Sequence, residues 1–240
     1  MFVESPAAWA ARYGGPATSP DTRYDLASLT KVVATLSGVL RLLSEGRLEL
    51  ETSVGDLFHN AGWSQERSVA GATVRQLLTH SAGLPAWKPL FAQSGNRLAA
   101  IGNALQTGLA HAPGEVVYSD LGFILLGLAL ERVARARQDE VVRETLFGPL
   151  GMTRTGYGPL AAVPVAATED CGWRNRLLEG EVHDENAFAL DGVAGHAGLF
   201  GTAEDVGRYA QAWLRSDPVL GAEAILLESI REQVTWLMNG

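Results

Sequence analysis

One cysteine, Cys171, occurs in the 240 residues, so no internal disulfide can form. No zinc-site spacing accompanies it, and it reads as a bystander thiol. Lysine is nearly absent: Lys31 and Lys88 are the only two, and arginine supplies the other basic side chains. Nineteen Lys and Arg face 27 Asp and Glu. The net charge of −8, with no basic cluster to offset it, argues against a nucleic-acid partner. Long apolar runs are missing too. The longest, near Val32–Leu40 and Leu121–Leu130, are about ten residues, too short for a membrane span. Residues 1–20 lack the basic segment and apolar core of a secretion signal. The chain as given reads as soluble and cytoplasmic, or as periplasmic or extracellular if an N-terminal segment is missing. No phosphate loop, dinucleotide fingerprint or His-Glu-x-x-His implies a cofactor. No Gly-x-Ser-x-Gly elbow supports an α/β-hydrolase.

What is present suits one substantial core, with 47% hydrophobic and 19% charged residues. Helices dominate the pattern. Apolar spacing predicts a helix over 27–45 ended by Gly46, and Thr73 caps a short one to His80. Residues 51–70 read as a loop with a short turn of helix, and 81–85 as a turn-rich loop. Further helices are expected over 96–109, from Ser119 or Asp120 to Arg135, and over 141–147. Two more run from Thr202 to Leu214 and over 222–237. Strands are few: Ala8–Tyr13 is one candidate and Val116-Val117 a short extended piece. Residues 151–195 read as irregular, and nothing after residue 200 alternates like a strand.

The first chemical motif is Ser28-Leu29-Thr30-Lys31. Residues three apart share a helix face, so the Ser28 hydroxyl and the Lys31 amine can meet. A serine is a poor nucleophile until a base takes its proton. Burial and the positive end of a helix dipole help a lysine act as that base and favour an oxyanion nearby. Alone the pattern is weak, since Ser-x-x-Lys arises by chance about once in a chain of this size. The second motif, Tyr118-Ser119-Asp120, lies between an extended piece and a helix. It offers a phenol to relay a proton and a polar side chain to orient the lysine or hold a substrate.

Together with their surroundings these motifs resemble the serine β-lactamase, DD-peptidase and family VIII-type esterase superfamily, in its class C-like branch. Asp21-Thr-Arg-Tyr-Asp-Leu-Ala-Ser-Leu-Thr-Lys31 is similar to its first motif. Pro113-Gly-Glu-Val-Val-Tyr-Ser-Asp-Leu-Gly-Phe-Ile-Leu-Leu-Gly127 is similar to its second, which usually reads Tyr-x-Asn. Thr73–Pro85, Pro149–Met152, Val182–Ala187 and Gly195–Thr202 carry the likeness along most of the chain. The resemblance implies an α+β fold of β-lactamase/transpeptidase type, a helix-rich lobe with a small antiparallel sheet, as one domain over 1–240. It implies a serine hydrolase that forms an acyl-enzyme on an ester, amide or β-lactam, without a cofactor. Ser28 would attack, Lys31 and Tyr118 would handle protons, and Asp120 would support them or the substrate. A carboxylate at 120 can form an ion pair with Lys31, which an amide cannot, and this opposes the lysine's role as a base.

The superfamily also uses a third motif, Lys-Thr-Gly or His-Thr-Gly, on an edge strand that supplies an oxyanion donor. Losing one such donor costs about 3–4 kcal/mol of transition-state stabilisation. His196-Ala-Gly198 is rejected for this part, because a helix start follows it and the motif needs a strand. His196 reads instead as a loop residue packed near the site. His183, Asp184 and Glu185 are adjacent and do not converge on a metal unaided. The domain is therefore expected to be truncated at the C-terminus and short at the N-terminus, with an incomplete sheet. Apolar helix faces would then be covered by a partner or a homodimer. The other reading is a weak or inactive relative that binds a peptide or small molecule.

Overall fold

The computed structural model describes residues 18–59 and 68–231. The Ala8–Tyr13 strand and the far end of the 222–237 helix lie outside them. Strand β1 (Tyr24–Asp25) leads into helix α1, which starts as a π-helical stretch, Lys31–Leu36, and continues as Ser37–Ser44. Gly46, at φ +65°, closes it as expected. Helices α2 (Val54–Phe58) and α3 (Val74–Leu78) each open on a capping box, Ser53 with Asp56 and Thr73 with Gln76. Helix α4 (Arg97–Leu105) is capped by Asn96, and α5 (Asp120–Ala134) by Ser119. Helix α6 runs as Gln138–Val142 and then as a π-helical Arg143–Phe147.

The core is built around α5. Ten consecutive residues, Leu121 to Leu130, are buried. A helix that is apolar on all sides has neighbours on all sides, and α5 packs against α1, α2, α3, α4 and α6.

Residues 151–195 are not irregular. They carry β2 (Gly156–Tyr157), β3 (Ala167–Cys171), β4 (Arg176–Glu179) and helix α7 (Glu185–Ala189). A further strand, β5 (Leu199–Gly201), precedes helix α8 (Ala203–Leu214), and α9 (Glu223–Ser229) follows. Strands this short give no visible alternation. β5 is buried at all three residues, so it reads as apolar with no period. β5 is central in an antiparallel sheet of order β1-β5-β2, with Asp25 and Gly156 both opposite Phe200. β3 and β4 form a separate antiparallel hairpin. Helix α8 begins where its Thr202 cap predicts.

Among the described residues one apolar face is open. Leu29 and Val32 of the α1 region, Trp213 and Leu214 of α8, and Leu227 and Ile230 near α9 line a groove of about 550 Å³. Among the described residues no helix is long and apolar enough to cross a membrane.

Candidate active site

Ser28 is exposed on a tight turn between β1 and α1. Asp25 shapes the turn. Its Oδ1 accepts from the Ala27 N–H at 2.8 Å, and its Oδ2 accepts from the His183 N–H at 2.8 Å. Ala27 itself has φ +45°, a left-handed conformation that costs a residue with a Cβ. The turn is tied to the sheet by the Leu26 N–H, which donates to the Leu199 carbonyl at 2.8 Å.

Lys31 opens the π-helical stretch, a distortion that recurs at functional sites. Its side chain is 3% exposed. Nζ lies 2.9 Å from Ser28 Oγ, 2.7 Å from Asp120 Oδ1 and 3.3 Å from the His196 carbonyl oxygen. It also lies over the Tyr118 ring, 4.8 Å from its centroid. The structure thus brings Ser28, Lys31, Tyr118 and Asp120 together. Tyr118 meets the lysine with its ring face, and among the described residues its hydroxyl bonds to neither Ser28 nor Lys31.

The second motif is held from behind. The Ser119 side chain donates to the Pro85 carbonyl at 2.7 Å and accepts from the Gly122 N–H at 3.3 Å. The Ser119 N–H donates to His80 Nδ1 at 3.1 Å. The Asp120 N–H donates to the Ala86 carbonyl at 2.9 Å. His80, at φ +55°, packs its ring on Tyr118 and Phe123, with centroids 4.6 and 5.2 Å away. Burial and the nearby Lys31 charge hold its pKa below the usual histidine value, which outweighs the pull of Asp120. A neutral ring is what leaves Nδ1 free to accept.

Three further residues join the site. Asp25, Asp184 and His196 line, with Ser28, Asp120 and His183, a cleft of about 80 Å³. His196 is 1% exposed, and its Nε2 lies 2.8 Å from Asp184 Oδ1. Asp184 is also the N-cap of α7, accepting from the Ala187 N–H at 2.7 Å. Burial works to raise its pKa. The His196 charge and hydrogen bond, the Ala187 N–H and Lys31 outweigh that and lower it to about 2. His183 points its Nε2 to Glu169 at 3.0 Å. The signals for Asp25 and Asp184 were local: an aspartate two residues before a turn N–H, and one at a helix start. Neither signal says which other segment arrives.

His196-Ala-Gly198 precedes a strand, contrary to expectation, but that strand cannot serve as a third motif. Both edges of β5 are already paired, with β1 and β2. Among the described residues no cluster of three or more His, Cys, Asp or Glu is placed to hold a metal. The arrangement can present an exposed hydroxyl beside a buried amine, itself backed by a carboxylate.

Known proteins resemble this chain in sequence and in fold. A beta-lactamase family model matches residues 3–240. A putative D-alanyl-D-alanine carboxypeptidase of Escherichia coli K12 is 32% identical over 263 residues, covering 91% of this chain and 59% of that protein. An N-acetylmuramyl-L-alanine amidase of Bacillus subtilis strain 168 is 33% identical over 225 residues, covering 80% and 50%. The chain therefore spans about half the length of the curated relatives it matches. An octameric penicillin-binding protein homologue from Pyrococcus abyssi superposes with a TM-score of 0.72 at 21% identity, covering 94% of this chain and 52% of that one. The chain belongs to the beta-lactamase family, within the serine β-lactamase and DD-peptidase superfamily.

Proposed function

We propose that this chain carries the nucleophile of a serine hydrolase that opens an amide bond through an acyl-enzyme. The observation that carries this reading is the 2.9 Å contact between the exposed Ser28 hydroxyl and the buried Lys31 amine. Ser28 Oγ attacks the carbonyl carbon while its proton passes to Lys31. The C–N bond then breaks and the leaving amine takes a proton from the site. Water attacks the Ser28 ester, releases the acid and restores the hydroxyl. Asp120 holds the lysine and is placed to take a proton from it. The Tyr118 ring walls the amine, and its hydroxyl joins the proton path once a substrate is seated. The Ser28 N–H bonds to no described residue and is an oxyanion donor in this scheme.

The substrate class proposed is a cell-wall peptide or its amide-linked fragment. Support comes from the relatives, one named a D-alanyl-D-alanine carboxypeptidase and one an N-acetylmuramyl-L-alanine amidase. The test is covalent labelling with a fluorophosphonate and with a fluorescent penicillin. Wild-type protein is expected to label at Ser28, and Ser28→Ala to lose the label. Labelling that is absent, or unchanged in Ser28→Ala, would overturn Ser28 as the nucleophile.

A further inference from the structure

The third partner of Lys31 Nζ, the carbonyl of His196, is 165 residues away in sequence. The loop that delivers it is sewn to α1 at two more points. Thr35 Oγ1 donates to the Gly195 carbonyl at 2.7 Å, and the Leu199 N–H donates to Thr30 Oγ1 at 3.1 Å. The loop is also pressed onto α5. A Cβ on Gly195 would land on the Phe123 carbonyl oxygen and within 2.9 Å of the Gly127 nitrogen. Residue 196 is tied a further time through its ring, which Asp184 holds. The buried imidazole is gripped through Nε2, while its Nδ1 has no hydrogen-bond partner among the described residues. Asp184 is in turn fixed at the start of α7 by the Ala187 N–H.

We propose that Asp184 and His196 are positioning residues for Lys31: the carboxylate fixes the imidazole, and the fixed residue holds its carbonyl where it aligns the amine on Ser28. The inference rests on Ser28 being the nucleophile. Neither side chain hydrogen-bonds to Ser28 among the described residues, so the pair acts through the lysine. Lysine has four rotatable side-chain bonds, and small displacements of a reacting group are costly in rate. A helix cap alone gives a different expectation, because asparagine caps as well as aspartate.

The experiment measures the saturation kinetics of fluorophosphonate labelling at Ser28. Asp184→Asn keeps the cap and removes the carboxylate charge that faces His196. It is expected to lower the limiting labelling rate about tenfold, with reagent affinity within about twofold and the melting midpoint lowered but still above the assay temperature. His196→Gln, which keeps an N–H for Asp184, is expected to retain more rate than His196→Ala. A folded Asp184→Asn with a limiting rate within about twofold of wild type overturns the inference, as does a loss that falls on affinity alone. If Asp184→Asn does not fold, equal limiting rates in wild type, His196→Gln and His196→Ala overturn it. Wild type that fails to label at Ser28 removes the nucleophile reading and this one with it. Labelling that needs Ser28 but ignores Asp184 removes this one alone.

Discussion

Lys31 Nζ and Asp120 Oδ1 stand 2.7 Å apart, the lysine side chain 3% exposed and the aspartate 22%. The second motif of the superfamily usually carries an amide where Asp120 stands. The carboxylate has two opposed effects. It engages the amine in an ion pair, and among the described residues it is also the one side chain bonded to Lys31 that can accept its proton. Transfer from Lys31 to Asp120 would leave a neutral amine facing Ser28. Asp120→Asn keeps an acceptor and removes that transfer. Ser28 labelling at neutral pH is expected to fall by about tenfold, as loss of a charge-assisted bond would give. A rise in labelling would show that the carboxylate restrains the base instead.

Ala27, at φ +45°, precedes the nucleophile in a conformation natural to glycine. Its N–H bond to Asp25 keeps it there. Ala27→Gly should stabilise the fold by about 0.5–1 kcal/mol if the relief of strain exceeds the added freedom of the unfolded chain. Ala27→Val should destabilise it by about 1–2 kcal/mol, because a β-branched residue tolerates positive φ least. Urea melts of both variants check the order. Labelling rates then show whether the strained turn sets the aim of Ser28.

Part of this site was legible as spacing: Ser28 and Lys31 are three apart, and Tyr118, Ser119 and Asp120 are consecutive. That the two motifs meet came from the family resemblance, because the contacts of Lys31 with Tyr118 and Asp120 join distant segments. Thr73, Ser119 and Thr202 announced three helix starts by capping rules. The rest depends on contacts between distant segments. Asp25 reaches His183 across 158 positions, and Lys31 reaches His196 across 165. No local pattern encodes such pairings. The strands were missed for a related reason: β2 has two residues and β5 three, and their partners, not their periodicity, define them.

Gly195 sits where two backbones touch. A side chain there has nowhere to go, because the obstacles are the Phe123 carbonyl and the Gly127 nitrogen and not a flexible side-chain end. Gly195→Ala is expected to destabilise by about 3 kcal/mol or more, through overpacking and a displaced loop. It should also lower Ser28 labelling, since the same loop carries the carbonyl that meets Lys31. Gly71→Ala makes a fair comparison, because a Cβ there meets nothing within 4 Å among the described residues. A thermal melt of the pair reads the difference directly.

Acid should weaken the fold in two stages with different causes. His80 titrates below the usual histidine value in the folded chain because burial and Lys31 disfavour its charge. The unfolded chain therefore binds that proton first, and stability falls as pH drops below about 6.5, until the folded ring also titrates. Protonation removes the lone pair that accepts the Ser119 N–H, so the second motif should loosen with it. Asp184 acts later. Its folded pKa of about 2 lies under the ordinary 3.8, so its contribution is complete above about pH 4 and disappears between about pH 4 and pH 2. The amount is on the order of 2 kcal/mol. Melting midpoints of wild type and Asp184→Asn should converge as pH falls through the lower window and stay parallel across the upper one. His80→Gln should flatten the upper step alone. A difference between wild type and Asp184→Asn that persists unchanged at pH 2 would show that charge on Asp184 does not stabilise the fold.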